Sequence, residues 1–175
     1  MEHALHYTKM ETPIGPVIAC AGNMGLSLLE FYDEATPVVK LSAIEKELKL
    51  SLANGPNAYL EQAEKELKEY FSGRRKIFEL PLQLYGTDFQ KQAWQALQAI
   101  PYGTTRSYMQ QTLSFTGATS IRAVANANGK NRIAIIIPCH RVIGANGALT
   151  GYAGGIWRKK HLLELEAVAR QGRLL

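Results

Sequence analysis

Short β-like runs of apolar residues with interspersed polar ones span Tyr7 to Cys20 and Leu26 to Tyr32, cut by Thr12-Pro13, Gly15-Pro16 and Gly22-Asn23. Short runs of this kind bounded by such turn residues predict β-strands. A helical spacing follows over Val39 to Leu52 and over Asn57 to Phe71. In the second, Leu60, Ala63, Leu67, Tyr70 and Phe71 share one face, and Ser72-Gly73 ends it. The N-terminal half is therefore expected to be an α/β module. The stretch Arg74 to Gly86, with Pro81 inside it, marks a boundary, which predicts a first domain over 1–80, a linker over 81–86 and a second domain over 87–175.

The second half opens on Thr87 with Gln90 three residues later, the pattern of a capping box. Phe89, Ala93, Leu97 and Ile100 recur at helical spacing until Pro101-Tyr102-Gly103. A second helix is expected over Ser107 to Phe115. After the Thr116-Gly117 turn, a third begins near Thr119-Ser120 and runs through Ala127. Helix, short glycine turn, helix predicts a helix-turn-helix. The third helix is slim, with Ala123, Ala125 and Ala127, and Arg122 is its one long cation. Such a helix fits a narrow minor groove and would bind DNA with little sequence preference. An Ala-rich core helix with a solvated arginine is the plain alternative. A last amphipathic helix is expected over Ile156 to Ala169.

Between these helices lies the run Ile133-Ala134-Ile135-Ile136-Ile137, followed by Pro138-Cys139-His140-Arg141-Val142. An apolar β-branched run of this length predicts a buried strand, which Pro138 would end for want of a ladder donor. Cys139 would then sit at the strand's end, with an imidazole and a guanidinium beside it. Cations favour the thiolate, the reactive form of cysteine. A cysteine after an apolar run is otherwise a small core residue, and neighbours on an extended segment face opposite sides.

Composition narrows the class. The 175 residues are 46% hydrophobic and 20% charged, as in an ordinary globular chain. No run is long enough to span a bilayer, and Met1-Glu2-His3 does not begin a signal peptide, so no membrane partner is expected. Two cysteines, Cys20 and Cys139, make neither a disulfide framework nor a zinc site, and His3, His6 and Cys20 match no zinc spacing. A reducing, cytoplasmic location is expected. Charge is polarised: residues 1–85 carry a balance of −3, residues 86–175 one of +8. A cationic half points to nucleic acid, although solubility or an acidic protein partner would also use it.

Pro138-Cys139-His140-Arg141-Val142 resembles the active-site motif of the O6-alkylguanine-DNA alkyltransferases (methylated-DNA–protein-cysteine methyltransferases). The order of Ser107-Tyr108, Ile121-Arg122-Ala123-Val124, Asn131, Ile137 to Ile143, Gly151-Tyr152-Ala153-Gly154-Gly155 and Leu162 to Glu166 is similar to theirs across the C-terminal half. The resemblance implies a ribonuclease-H-like α/β N-terminal support domain. It also implies a mostly helical, winged-helix-like C-terminal domain carrying the helix-turn-helix.

The activity it implies is DNA repair by irreversible, single-turnover transfer of an alkyl group from O6-alkylguanine, and less efficiently O4-alkylthymine, to Cys139. His140 would act as base through a water, and Glu166 would hold its far ring nitrogen. Asn131 would brace the turn carrying the cysteine, and Tyr108 would donate to the departing base. The carbonyls of Cys139 and Val142 and the N–H of Ala153 would meet the guanine, with Tyr152 lining the pocket. Arg122, Ala123 and Ala127, with Tyr108, would contact the minor groove of double-stranded DNA, Arg122 entering where the damaged nucleotide is rotated out. No cofactor or metal is implied, and the protein is expected to act as a monomer.

Several positions depart from the family pattern. Ala153 replaces a frequent serine, Ala134 a proline seen in some relatives, and Asn126 a frequent glycine. With Gly154 adding no bulk, the pocket would admit adducts larger than methyl. Two other functions fit parts of the pattern: a damage-recognition protein without chemistry, and a cysteine hydrolase using Cys139, His140 and Glu166. A hydrolase returns its acyl group to water and turns over, whereas a thioether does not.

Overall fold

Leu5–Met10 (β1), Val17–Ala21 (β2) and Leu26–Phe31 (β3) form an antiparallel meander, in which Tyr7 faces Cys20 and Cys20 faces Leu28. The computed structural model describes residues 4–32, 37–117 and 119–171, so His3 lies outside the described residues. After helix α1 (Pro37–Leu48), a three-residue strand β4 (Leu52–Asn54) pairs parallel to β1, giving the order β3-β2-β1-β4. Helix α2 (Ala58–Phe71) packs on β1, β2 and β3. Every residue of β2 is buried, because a central strand is covered on both faces.

Leu5, Ile18, Cys20, Leu28 and Ile44 form one core cluster, with Leu41 and Leu48 of α1 against it. Burial among them pushes the Cys20 thiol up to about 12, so it is inert packing. Asn57 caps α2 through the Tyr59 and Leu60 amides.

Two expectations change here. The helix expected to reach Leu52 ends at Leu48, where Lys49 takes a φ of 54° and Leu50 N donates to Glu45 O. The freed residues pair with β1 instead, a non-local gain that periodicity does not register. Pro81 to Gln83, expected to start a linker, are bound along β3: Leu26 N donates to Pro81 O and Gln83 N to Leu26 O. Gly25 permits this approach, since a side chain there would lie 2.4 Å from Pro81 O. The chain divides into two compact units between Tyr85 and Gly86.

The second unit is mostly helical: α3 (Asp88–Gln98), α4 (Tyr108–Leu113), α5 (Ile121–Gly129) and α6 (Ile156–Gln171). Thr87 and Gln90 make the reciprocal capping box at α3, and Ser107 with Gln110 makes another at α4. Helices α4 and α5 pack together, and α3 packs on α5. Trp94 of α3 is buried and its Nε1 donates to Ala127 O at 2.9 Å. Arg106–Ser107 (β5) and Val142–Ile143 (β6) pair as a small parallel ribbon beside α4.

The run Ile133 to Ile137 is not a strand. Ile133, Ile135, Ile136 and Ile137 are buried, but the backbone doubles back, with Ile137 N donating to Ile133 O at 3.0 Å and Ile135 at a φ of 71°. An all-apolar run reports burial without specifying conformation. Asn131 holds this turn at both ends, accepting from Ile133 N and donating to Ile137 O, each at 2.9 Å.

Candidate active site and nucleic-acid interface

Pro138 ends the buried turn and starts a single 3-10 turn, Cys139–Arg141, closed by Val142 N donating to Cys139 O. Three successive side chains on such a turn point to different sides. Cys139 is half-buried, while His140 and Arg141 turn into the interior of the unit. Asn131 Nδ2, already on Ile137 O, also lies 3.3 Å from Cys139 Sγ. Burial pushes the Cys139 thiol up. The Asn131 amide, the Lys159 charge and the backbone N–H groups of Cys139 and His140 pull it back.

Beneath the cysteine, Glu166 of α6 is fully buried and collects four N–H donors. His140 Nε2 lies 2.8 Å from Oε1, Arg141 reaches both oxygens at 2.9 and 3.0 Å, and Gly103 N donates to Oε2 at 3.2 Å. These donors hold the Glu166 carboxyl down to about 2 against the burial that raises it. The remaining Arg141 nitrogen donates to Ile100 O at 2.8 Å, and its guanidinium lies over the Tyr102 ring. Arg141 therefore serves the carboxylate, and the expectation that it favours the Cys139 thiolate is corrected. The cation coupled to the sulfur is Lys159.

An ionised carboxylate can only accept, so the network assigns the His140 proton to Nε2 and leaves Nδ1 with a lone pair. Nδ1 is buried and has no hydrogen-bond partner. Burial holds the imidazole below its ordinary value, with Glu166 opposing that shift. At neutral pH His140 is a neutral imidazole with a free basic nitrogen and a carboxylate ready to stabilise its cation.

The loop before α6 covers this centre. Tyr152 Oη is buried without a hydrogen-bond partner; burial and the nearby Cys139 charge hold its proton on. Ala153 is exposed, and Val142 is buried under the 3-10 turn. Tyr108 Oη, expected to donate to a substrate base, donates here to Thr150 O at 3.0 Å. Lys159 Nζ meets the same carbonyl at 2.9 Å.

The helix expected to enter the groove differs along its length. Ser120 caps α5 through Ala123 N, and Ser120, Arg122, Ala123 and Asn126 line an open concavity. Arg122 and Asn126 are exposed and Ala123 half-buried. Ala127 corrects its expectation: it is 3% exposed, on the core face where its carbonyl holds Trp94. A position four residues on from Ala123 shares its side only approximately, and here the core takes it.

Sequence reasoning missed Lys159 and the use made of Arg141. Lys159, Leu162 and Glu166 are fully buried at i, i+3 and i+7 of α6, so one face of the helix carries two charges inward. That spacing was the available signal.

The model of the 6-O-methylguanine DNA methyltransferase ribonuclease-like domain matches residues 5–84, and that of the 6-O-methylguanine DNA methyltransferase DNA-binding domain matches residues 88–168. The chain belongs to the 6-O-methylguanine DNA methyltransferase family. It is 43% identical to a methylated-DNA–protein-cysteine methyltransferase of Methanosarcina barkeri, over 93% of this chain and 97% of that one. The constitutive methylated-DNA–protein-cysteine methyltransferase of Bacillus subtilis is 41% identical, over 94% and 96%. A crystal structure of Mycobacterium tuberculosis OGT in complex with DNA superposes with a TM-score of 0.80 at 41% identity, covering 94% of each chain. The two methyltransferase domains correspond to the α/β and helical units described above. Among the described residues, no helix of this methyltransferase is long and apolar enough to cross a membrane.

Proposed function

We propose that this protein repairs double-stranded DNA by moving the alkyl group of O6-alkylguanine, and less efficiently of O4-alkylthymine, onto its own Cys139. The observation that carries the assignment of residues is the buried His140–Glu166 pair next to Cys139, in which the imidazole is neutral, oriented and basic on its free side. His140 Nδ1 takes the thiol proton through a water, and Glu166 stabilises the imidazolium. The thiolate attacks the alkyl carbon; a C–S bond forms, the C–O6 bond breaks, and its electrons pass to the guanine. Tyr108, released from Thr150 O, donates to the leaving base, and Ala153 N–H meets O6. The Cys139 and Val142 carbonyls receive the exocyclic amine.

The thioether has no reason to hydrolyse, so each molecule reacts once. Arg122 enters the stack from the minor groove as the target nucleotide leaves it, and Ala123 lets the helix approach. The free thiols of Cys20 and Cys139 suit a monomer working in the reducing cytoplasm.

Intact-mass spectrometry after incubation with a duplex containing O6-methylguanine tests this. A gain of one methyl group per protein, mapped to Cys139, is the expected result. Tight binding of the duplex with no mass gain would replace it with the reading as a damage-recognition protein, and continued turnover would indicate a hydrolase.

A further inference from the structure

Asn126 is exposed on α5, and among the described residues its side chain has no hydrogen-bond partner. The asparagine two positions on is accounted for, since Asn128 is buried and paired with Gln111. Asn126 has no such use within the fold. An asparagine inside a helix is less favourable than the alanine that fills the neighbouring positions Ala123, Ala125 and Ala127. Asn126 follows Arg122 by four positions and Ala123 by three, so the three share one side of the helix, and with Ser120 they line the same open concavity. The Ser120 hydroxyl is engaged with Ala123 N, Ala123 has no polar side-chain group, and a guanidinium can only donate. Asn126 alone of the four brings an unengaged side chain with both an acceptor and donors. Gly129, three residues further, is exposed with open space where a Cβ would be, so no side chain there screens Asn126.

We infer that Asn126 reads a base pair beside the lesion from the minor groove, so that damage next to a G·C pair is repaired faster than damage flanked only by A·T. The inference rests on the proposed function, in which Arg122 enters the stack where the damaged nucleotide leaves it. One helical turn separates the two residues, about 5.4 Å along the axis, and stacked base pairs lie about 3.4 Å apart. The carboxamide therefore falls roughly one to two base pairs from the lesion. In the minor groove every pair presents acceptors, and only G·C adds a donor, the guanine N2 amine. An arginine or a lysine, having donors alone, cannot use that amine. A carboxamide can: Oδ1 accepts from the amine while Nδ2 donates to the acceptor beside it, a two-point match that A·T cannot make. A slim helix by itself reads little sequence, and Asn126 gives this one a reader.

The test uses duplexes with one O6-methylguanine in an A·T background. Each carries a single G·C pair at one of the two positions on either side of the lesion, or the same pair with inosine in place of guanine. Inosine lacks only the N2 amine. Single-turnover transfer to the parent protein and to Asn126→Ala, read by intact mass, gives a G·C to I·C rate ratio for each. An I·C pair is also easier to open, but both proteins meet the same DNA, so the quotient of the two ratios isolates the amine contact. At one position, or at two adjacent ones, the parent's ratio is expected to exceed the variant's about fivefold. Equal ratios in the two proteins at all four positions would overturn the inference. So would one uniform loss on every duplex, which is the mark of a phosphate contact. Asn126→Ala is expected to melt no lower than the parent, since alanine is the better helix former. The same cycle run on equilibrium binding, with Cys139→Ala in both proteins so that no reaction occurs, separates this inference from the proposed function. A parent that takes up methyl from no duplex fails that function, while a G·C preference in binding that depends on Asn126 would still stand. A parent that transfers normally with flat ratios fails the reading of Asn126 alone.

Discussion

The side-chain amides of Gln111 and Asn128 hydrogen-bond each other twice, at 2.9 and 2.7 Å, across the buried contact between α4 and α5. A reciprocal amide pair is satisfied in one relative orientation only, so it sets the angle at which α5 is presented. Gln111→Leu leaves Asn128 with unmet polar atoms in a buried site, at a cost of about 1–3 kcal/mol. Thermal unfolding is expected to show that loss, and duplex affinity is expected to fall as α5 loses its fixed angle. A variant as stable as the parent would mean that the pair is replaceable by packing.

Glu166→Gln keeps the shape but not the charge. The substituted amide can no longer balance buried Arg141, and removing one member of a buried pair costs about 3–5 kcal/mol. Transfer is expected to drop at least about a hundredfold, since the imidazolium loses its counter-charge. Single-turnover rates beside denaturant melts separate the two effects; full activity in the folded variant would remove Glu166 from the chemistry.

Stability is expected to fall as the solution is acidified below neutrality. The folded His140 resists protonation, so as pH drops through 6.5, its ordinary value, the unfolded chain gains a proton that the folded one does not. Glu166 adds to this: its carboxyl moves from 4.5 to about 2 on folding, so its contribution is whole above 4.5 and lost as pH falls towards 2. In both intervals the unfolded state binds more protons, and the free energy of unfolding declines with pH. Urea melts from pH 7 down to about pH 3 measure it. A flat profile would contradict the cluster as described.

Arg122→Ala removes an exposed side chain at the open mouth of α5, so the fold should be indifferent to it. Repair within a duplex is expected to fall more than about tenfold, with reaction on free O6-benzylguanine changed less than about twofold, given that the free base needs no extrusion. Equal losses on both substrates would place Arg122 in the pocket rather than in the DNA.

Much of this could be read before any coordinates. The short runs and turn residues that delimit β1 to β3, the face of α2 and the capping box at Thr87 are local signals, and local signals survive folding. Pro138 to Val142 singled out the candidate centre because a thiol beside an imidazole is a chemical statement in itself. What stayed hidden was non-local. Ile133 to Ile137 advertised burial, but Asn131 decided that it should be a turn. β4 exists because β1 has a free edge, and three residues carry no periodicity. Lys159 and Glu66 look like solvated charges until the fold buries them; Glu66, inside α2, accepts from Glu79 N at 2.9 Å. Ala127 looked like its neighbours Ala123 and Ala125, and only packing separates a half-exposed alanine from a core one.

The bond from Trp94 Nε1 to Ala127 O equips the protein with its own optical gauge. The chain has two tryptophans, and the other, Trp157, is 57% exposed with Arg158 against its ring. One indole thus emits from a dry interior, tethered to α5, and the other from water. Gly86 lies so close to the first that a Cβ there would be 2.5 Å from the ring, which leaves the indole little room to tilt independently. Any shift of α5 against α3 must pull on that tether, and so will be written into the blue edge of the emission spectrum without a label being attached.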